Sequence, residues 1–388
     1  MKKSLFILFP VIFLALAFTN LKEDSQNSDP KNENVLPQTS DVTDWKVSQR
    51  QILLNGHPFF AQGVCYQPVP VGEDPNNSPN GDYFTSNYSY IYKPDIDRMK
   101  SMGINSIKIY SWYPDKDHTD FLNYCYQNGI YVIVGYYMPP GTIIGNYDEK
   151  LGLFKTLANM TKTHPAIMGY QLGNENIGTD RNNPDFWTKL NQIAAALKSI
   201  APNKLVTTGL VDEVDASGAI ISVIAGNNFM TSLDVWGINV FRGNSLGHFY
   251  DKYSEATAKP VLLTELGFPN SVRNGNTPGD MPNNGQATAD YYEHVLEEVD
   301  GESSVDNPSD PVGGVYIFEW NDEWWKQQCP ACWSNGPCSC GKTTHDFTAT
   351  NRTDAFPGGW WDEEWFGIYT ADRSPRASVE TIKHLWKH

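Results

Sequence analysis

Ala166-Ile167-Met168-Gly169-Tyr170-Gln171-Leu172-Gly173-Asn174-Glu175 is a short, almost continuously apolar run that ends on an amide and an acid. Continuous hydrophobicity, as opposed to alternation, marks a strand covered on both faces, as in parallel sheets. Seven further runs of this kind flank it: Phe59–Cys65, Ser106–Tyr110, Ile130–Tyr136, Leu205–Leu210, Val235–Val240, Val261–Thr264 and Gly314–Phe318. Helical patterns lie between them. Lys93–Met102 opens with Pro94, a good first-turn residue, and closes before Gly103. Asp120–Gln127, Glu149–Thr163, Asp185–Ile200 and Gln286–Val299 supply further helices. Strand then helix, eight times over, predicts a single-domain (β/α)8 TIM barrel. An open doubly wound sheet shares the alternation, but no G-x-G-x-x-G follows the first strand. Polar or aromatic residues sit just past nearly every strand: Tyr66, Trp112, Tyr137, Asn174-Glu175, Asp212, Asn239, Glu265 and Glu319-Trp320. In a barrel these positions converge on one face, where chemistry is done.

Two acids stand out at strand tips. Glu175 ends the fourth strand and Glu265 ends the seventh, Pro260-Val261-Leu262-Leu263-Thr264-Glu265. Those strands lie across a barrel from each other, so the two carboxyls can face one another over its mouth. Glycoside hydrolysis needs such a pair: one protonates the leaving oxygen, the other attacks the anomeric carbon or activates water. A salt-bridged barrel acid is the alternative for either Glu alone.

His164 through Glu175 resembles the strand-four signature of retaining glycoside hydrolases of clan A, and Leu263-Thr264-Glu265-Leu266-Gly267 resembles the clan's strand-seven motif. Gly314-Val315-Tyr316-Ile317-Phe318-Glu319-Trp320 is similar to its eighth strand. The layout looks closest to β-1,3-glucanosyltransferases and β-galactosidase-like families. The resemblance implies Glu175 as acid/base, Glu265 as nucleophile, Asn174 as a partner of the sugar 2-hydroxyl, and Trp320 as a wall of the sugar site. Two departures are visible. The clan often carries Arg after strand two, where this chain reads Ile107-Lys108-Ile109-Tyr110. After strand six a Tyr or His usually touches the nucleophile, where this chain offers Asn239 and Phe241. Arg242 or Tyr66 is the expected substitute.

Tyr66, Tyr110, Trp112, Tyr137, Asn239, Trp320 and Trp324 are the expected sugar contacts, because flat rings bury large area at small entropy cost. Composition agrees. Asp and Glu outnumber Lys and Arg 45 to 29, giving −16, while aromatic residues make up 13% of the 388. That balance lacks the basic footprint of a nucleic-acid binder and disfavours an anionic polymer. A neutral poly- or oligosaccharide is the expected partner, without cofactor or metal, and the chain is expected to be a monomer.

Met1-Lys2-Lys3, the apolar run Leu5–Phe18 and Ala15-Leu16-Ala17 read as a secretory signal peptide over residues 1–17. The run is too short for a membrane anchor, which needs about 20 apolar residues. Residues 18–44 are polar and read as a flexible linker, leaving 45–388 as the catalytic domain of a secreted or periplasmic protein with no later span. Export favours disulfides among Cys329, Cys332, Cys338 and Cys340, in a Cys-rich loop inserted after strand eight; zinc is the rival for the C-x2-C pair. Gly243-Asn244-Ser245-Leu246-Gly247 matches a serine nucleophile elbow, so an esterase using Ser245 is the competing enzyme class. An inactive glycan-binding barrel is the competing non-enzyme. The expectation is a retaining β-glycosidase or transglycosylase on a neutral β-glucan, β-1,3-linked by preference, with β-mannan or β-galactoside as the alternative.

Overall fold

The computed structural model describes residues 43–387, apart from 72, 74, 76–81, 111, 137, 139–141, 176–182, 213–218, 275–276, 324 and 326–361. Among the described residues three short strands come first: β1 (Trp45–Ser48), β2 (Gln51–Leu54) and β3 (His57–Pro58), paired antiparallel. The barrel strands follow as β4 (Ala61–Cys65), β5 (Ser106–Ile109), β6 (Tyr131–Gly135), β7 (Ile167–Leu172), β8 (Leu205–Thr208), β9 (Leu210–Val211), β10 (Trp236–Asn239) and β11 (Val261–Leu266). A hairpin, β12 (Ser271–Asn274) and β13 (Thr277–Asp280), precedes the last barrel strand, β14 (Val312–Ile317). The helices are α1 (Ser89–Ser101), α2 (Thr119–Gln127), α3 (Thr142–Gly145), α4 (Tyr147–Thr161), α5 (Pro184–Ile200), α6 (Ala219–Gly226), α7 (Phe249–Ala256), α8 (Pro282–Asp300) and α9 (Ala377–Trp386).

The barrel segments form one parallel sheet in the order β8-β7-β6-β5-β4-β14-β11-β10-β9. Its two end members, β8 and β9, are successive pieces of one run separated by Gly209. The sheet therefore closes on itself, and its staves number the eight expected of a TIM barrel. Thr208 laces the seam: its hydroxyl donates to Gly237 O and accepts from Gly237 N, both at 3.1 Å. Gly237 has to be glycine here, because a Cβ would lie 1.9 Å from Thr208 O.

The strands are buried along their length, as their continuous hydrophobicity requires. Helix α5 shows how sequence places the outer layer. The Asn183 side chain accepts from Asp185 N at 3.0 Å, and Pro184 occupies the first turn. Phe186, Trp187, Leu190, Ile193, Ala194 and Leu197 then recur at three- and four-residue spacing and are all buried. Pro94 behaves differently from expectation. It lies inside α1, which begins at Ser89, and does not open the helix. In α8, Asn283, Asn284 and Gly285 are left-handed, so regular helix starts at Gln286.

The initial β1–β3 sheet covers the barrel floor. Trp45 packs edge-on against Phe59 and Tyr131, each at 4.9 Å, and Tyr131 opens β6. Thr43 Oγ1 donates to Pro165 O at 2.8 Å, just before β7. Lys204, fully buried ahead of β8, donates to Thr43 Oγ1 at 2.9 Å and His164 O at 3.2 Å. Floor and barrel belong to one compact unit, Asp41–His388. No helix of the described residues is long and apolar enough to cross a membrane. The expected signal peptide and most of the linker lie outside the described residues, as do Cys329, Cys332, Cys338 and Cys340.

Candidate active site at the barrel mouth

Asn174 and Glu175 follow β7 through a tight turn. Gly173 takes φ +75° and Glu175 itself takes φ +51°, a left-handed conformation uncommon for a side-chain-bearing residue. The turn is anchored across the seam, where Glu175 N donates to Gly209 O at 2.6 Å. A Cβ at Gly209 would meet Gln171 Nε2 at 2.5 Å and Asn174 Oδ1 at 3.1 Å, so any side chain there would push on both amide tips. Glu265 sits within β11, and its backbone carbonyl accepts from Val240 N at 2.7 Å.

The two acids occupy different surroundings. Glu265 is 5% exposed, and its Oε1 accepts from Lys108 Nζ and from Tyr110 OH, each at 2.8 Å. Lys108 and Tyr110 are two residues apart at β5, so they share the inward face. Lys108 is fully buried, and its ammonium also donates to Thr264 O at 3.2 Å and to Asn174 Oδ1 at 3.1 Å. Glu175 is reachable from solvent at the mouth, and its Oε1 accepts from Asn239 Nδ2 at 3.0 Å. Surrounding protein strips enough water from this carboxyl, and the nearby Glu265 charge repels enough, to push it up to about 7. Asn239 opposes that rise by donating to the charged form.

Asn239 is the hub between the acids. Its Oδ1 accepts from Thr264 Oγ1 at 2.7 Å, and its Nδ2 also reaches Asn174 Oδ1 at 3.3 Å. A continuous polar chain therefore runs Glu265–Lys108–Asn174–Asn239–Glu175. The structure thus brings together Glu175, Glu265, Asn174, Tyr110 and Asn239, all expected from sequence. It also adds Lys108, which sequence reading noted only as a missing Arg. A lone cation between Ile107 and Ile109 in a barrel strand was the available signal.

Other expected contacts lie elsewhere. Tyr66 is fully buried and donates to Asp95 on α1 at 3.0 Å. Arg242 is held by Asp212, with Nη2 donating at 2.9 Å. Neither supports Glu265; Tyr110 and Lys108 do. Trp112 is 3% exposed and stacked flat on His118 at 3.9 Å, while His118 Nε2 bonds Asp82 at 2.7 Å. Trp320 is fully buried against Tyr369 at 4.5 Å, directly after a cis Phe318–Glu319 peptide. Both rings are packed against neighbouring side chains and are almost wholly buried. Phe241, where a polar residue is usual, lies among Phe318 and Phe366. Tyr137 and Trp324 lie outside the described residues. Ser245 is exposed, and its hydroxyl accepts from Gly247 N at 3.0 Å within a local turn. It touches no His or acid among the described residues, so the nucleophile-elbow reading is corrected to a turn.

The sequence profile of the glucanosyltransferase family matches residues 35–272. The 1,3-beta-glucanosyltransferase GAS2 of Saccharomyces cerevisiae is 27% identical over 130 residues, 31% of this chain and 23% of that protein. The 1,3-beta-glucanosyltransferase of Arthroderma benhamiae is 23% identical over 235 residues, 55% of this chain and 42% of its own. The chain thus spans less than half the length of these relatives. Among solved structures, a GH2 beta-galacturonidase from Eisenbergiella tayi superposes with TM-score 0.59 at 16% identity, over 89% of this chain and 54% of that one. At that identity the likeness is one of fold, and it is to the same closed barrel.

Proposed function

The chain belongs to the glucanosyltransferase family, and from that premise we propose that it cuts and rejoins a neutral β-glucan, β-1,3-linked by preference, through double displacement. One observation carries this reading: two carboxyls joined by a single polar chain have different partners. Glu175 is pushed up to about 7, while Glu265 accepts from an ammonium and a phenol. A carboxyl that keeps its proton beside one that two donors hold suits a division into proton donor and nucleophile.

In the first step a Glu265 oxygen bonds the anomeric carbon. The bond from that carbon to the leaving oxygen breaks with its electron pair, and the leaving oxygen takes the Glu175 proton. Glu175, now charged, withdraws a proton from the incoming hydroxyl as the ester to Glu265 is broken. An acceptor sugar hydroxyl gives a rejoined chain; water gives hydrolysis. Lys108 and Tyr110 stabilise the charge on Glu265 before attack and after release.

A neutral substrate is favoured over the uronic acid named for the Eisenbergiella enzyme. Lys108 is spent on Glu265, Arg242 on Asp212 and Arg376 on Asp322. Glu319, Glu323 and Glu364 add buried acids to the segments that follow the last strand. Among the described residues these cations are already paired, so a sugar carboxylate entering here would meet the repulsion of the buried acids. Export through residues 1–17 belongs to the same proposal, since a polymeric glucan is met outside the cell.

The test is incubation of the purified chain with a reduced-end-labelled β-1,3-gluco-oligosaccharide, read by mass spectrometry. Products longer than the starting oligosaccharide establish transfer, and shorter ones alone establish hydrolysis. No turnover of any neutral β-glycan would leave only a glycan-binding barrel.

A further inference from the structure

We propose that Lys108 dictates which oxygen of Glu175 carries the transferable proton, acting through the side-chain amides of Asn174 and Asn239. The inference rests on the reading of Glu175 as proton donor. It starts from a chemical asymmetry: an ammonium group can only donate hydrogen bonds. The three hydrogens of Lys108 are matched by three acceptors, Glu265 Oε1 at 2.8 Å, Asn174 Oδ1 at 3.1 Å and Thr264 O at 3.2 Å.

The atom that Asn174 turns toward Lys108 must therefore be its carbonyl oxygen. That oxygen can only accept, so the Asn239 atom 3.3 Å from it must be the amide nitrogen. The same nitrogen lies 3.0 Å from Glu175 Oε1. The other end of that amide, Oδ1, receives the Thr264 hydroxyl at 2.7 Å. Reversing Asn239 would set oxygen against oxygen toward Asn174 and, whenever Glu175 is charged, toward Glu175 as well. Oε1 of Glu175 is thus an acceptor in both protonation states, and the proton resides on Oε2. A donor-only cation has propagated its polarity through two amides to an acid it does not itself bond.

Donation to Oε1 favours the charged form of Glu175 and so lowers its hold on the proton. Among the described residues, the charged groups around Glu175 are Glu265 on β11 and Glu363 in the C-terminal segment, which hold the proton on, and Lys108 on β5, which works against them. Asn239 on β10 works in the same direction as Lys108. Lys108 is a positioning residue toward Glu175, although it contacts Glu265 directly.

The test reads the Glu175 carboxyl itself. The free full-length protein, labelled with 13C at glutamate carboxyls, is titrated by NMR, and the Glu175 signal is assigned by its loss in Glu175→Gln. Asn239→Leu should raise the midpoint by about one unit, the worth of one hydrogen bond to a charged acceptor. Lys108→Met should raise it as well. In the double variant, Lys108→Met should add less than half of its shift in the wild-type background, because the route through Asn239 is already cut. Fully additive shifts would mean that Lys108 acts only through space, and would overturn the relay. Thr264→Val keeps the cation and both amides but removes the hydroxyl that anchors Asn239, and it should also raise the midpoint. An unmoved midpoint in that variant overturns the proposal too. None of these readings requires turnover, so a failed glucan assay and a failed relay are separate results.

Discussion

The hydroxyl of Tyr110 and the Lys108 ammonium converge on the same oxygen of Glu265, each at 2.8 Å. With two donors on one carboxylate oxygen, the other oxygen is the attacking atom in the proposed mechanism. Tyr110→Phe removes one donor and keeps the ring. It should lower kcat/KM by about 10- to 100-fold, the worth of a hydrogen bond to a charged group. A variant with wild-type kcat/KM across pH 4 to 8 would remove Tyr110 from the site.

The two carboxylates should fail in different ways. Glu265→Ala should abolish turnover on every substrate, because no group remains to form the ester. Glu175→Ala should still react with a dinitrophenyl β-glucoside, whose leaving group needs no proton, and the glycosyl-enzyme should accumulate. Azide should then restore turnover and give a β-configured glycosyl azide. An α-configured product, or a covalent label on Glu319 or Glu323 in place of Glu265, would reverse the assignment.

Glu175 also sets a pH-dependent stability cost. Its folded value is raised from the usual carboxylate range to about 7, first by burial and then by Glu265. A raised acid stabilises the fold while protonated, and that contribution is lost as pH rises through about 7. Glu175→Gln should therefore match the wild type in melting temperature near pH 4. At pH 8 it should exceed the wild type, by on the order of 1 kcal/mol once solvent screening at the open mouth is allowed for. Identical melting curves at pH 8 would count against the raised value.

Trp112 is a test of wall against subsite. Because it is buried on His118, Trp112→Ala should cost about 3–5 kcal/mol of stability, as large-to-small core changes do. Thermal melting and Michaelis constants on oligosaccharides of increasing length separate the two roles. An unchanged melting temperature with a raised KM for long substrates would return Trp112 to the sugar path.

Cys65 and Cys125 are buried free thiols, with burial pushing Cys65 up to about 12. We propose that the remaining four, Cys329, Cys332, Cys338 and Cys340, are joined in disulfides. Alkylation with a chelator but no reductant should then label none in the native protein and two after denaturation. Six labelled thiols under denaturing conditions would overturn the disulfides.

The barrel was legible because its strands are continuously apolar and end on polar tips. Ala166–Leu172 and Val261–Thr264 each fall within a residue or two of an observed strand. The floor was not legible, because Trp45–Ser48 and Gln51–Leu54 are short, mixed strands whose partners are the barrel base and one another. Glu175 and Glu265 could be read from strand ends alone. Which aromatic residue turns inward could not. Tyr66 and Tyr110 both follow apolar strands, yet Tyr66 points outward to Asp95 and Tyr110 inward to Glu265. That choice is set by strand phase, which period-two alternation fixes only once the register is known. Lys108 shares the phase of Tyr110, and a cation two residues before an inward Tyr is the pattern that would have found it.

Gly209 interrupts the strand at which the barrel closes, and its carbonyl holds the peptide of Glu175. Inheritance through this position is therefore unusually narrow. A mutation to any larger residue would press on Gln171 and Asn174 at once, so it would disturb the closure and the proton donor together. A lineage drifting toward a new substrate could rebuild the loops after most strands one at a time. At this residue it has less freedom, and a saturation library should return mostly glycine and the smallest residues among active clones while accepting many residues at the exposed Ser245.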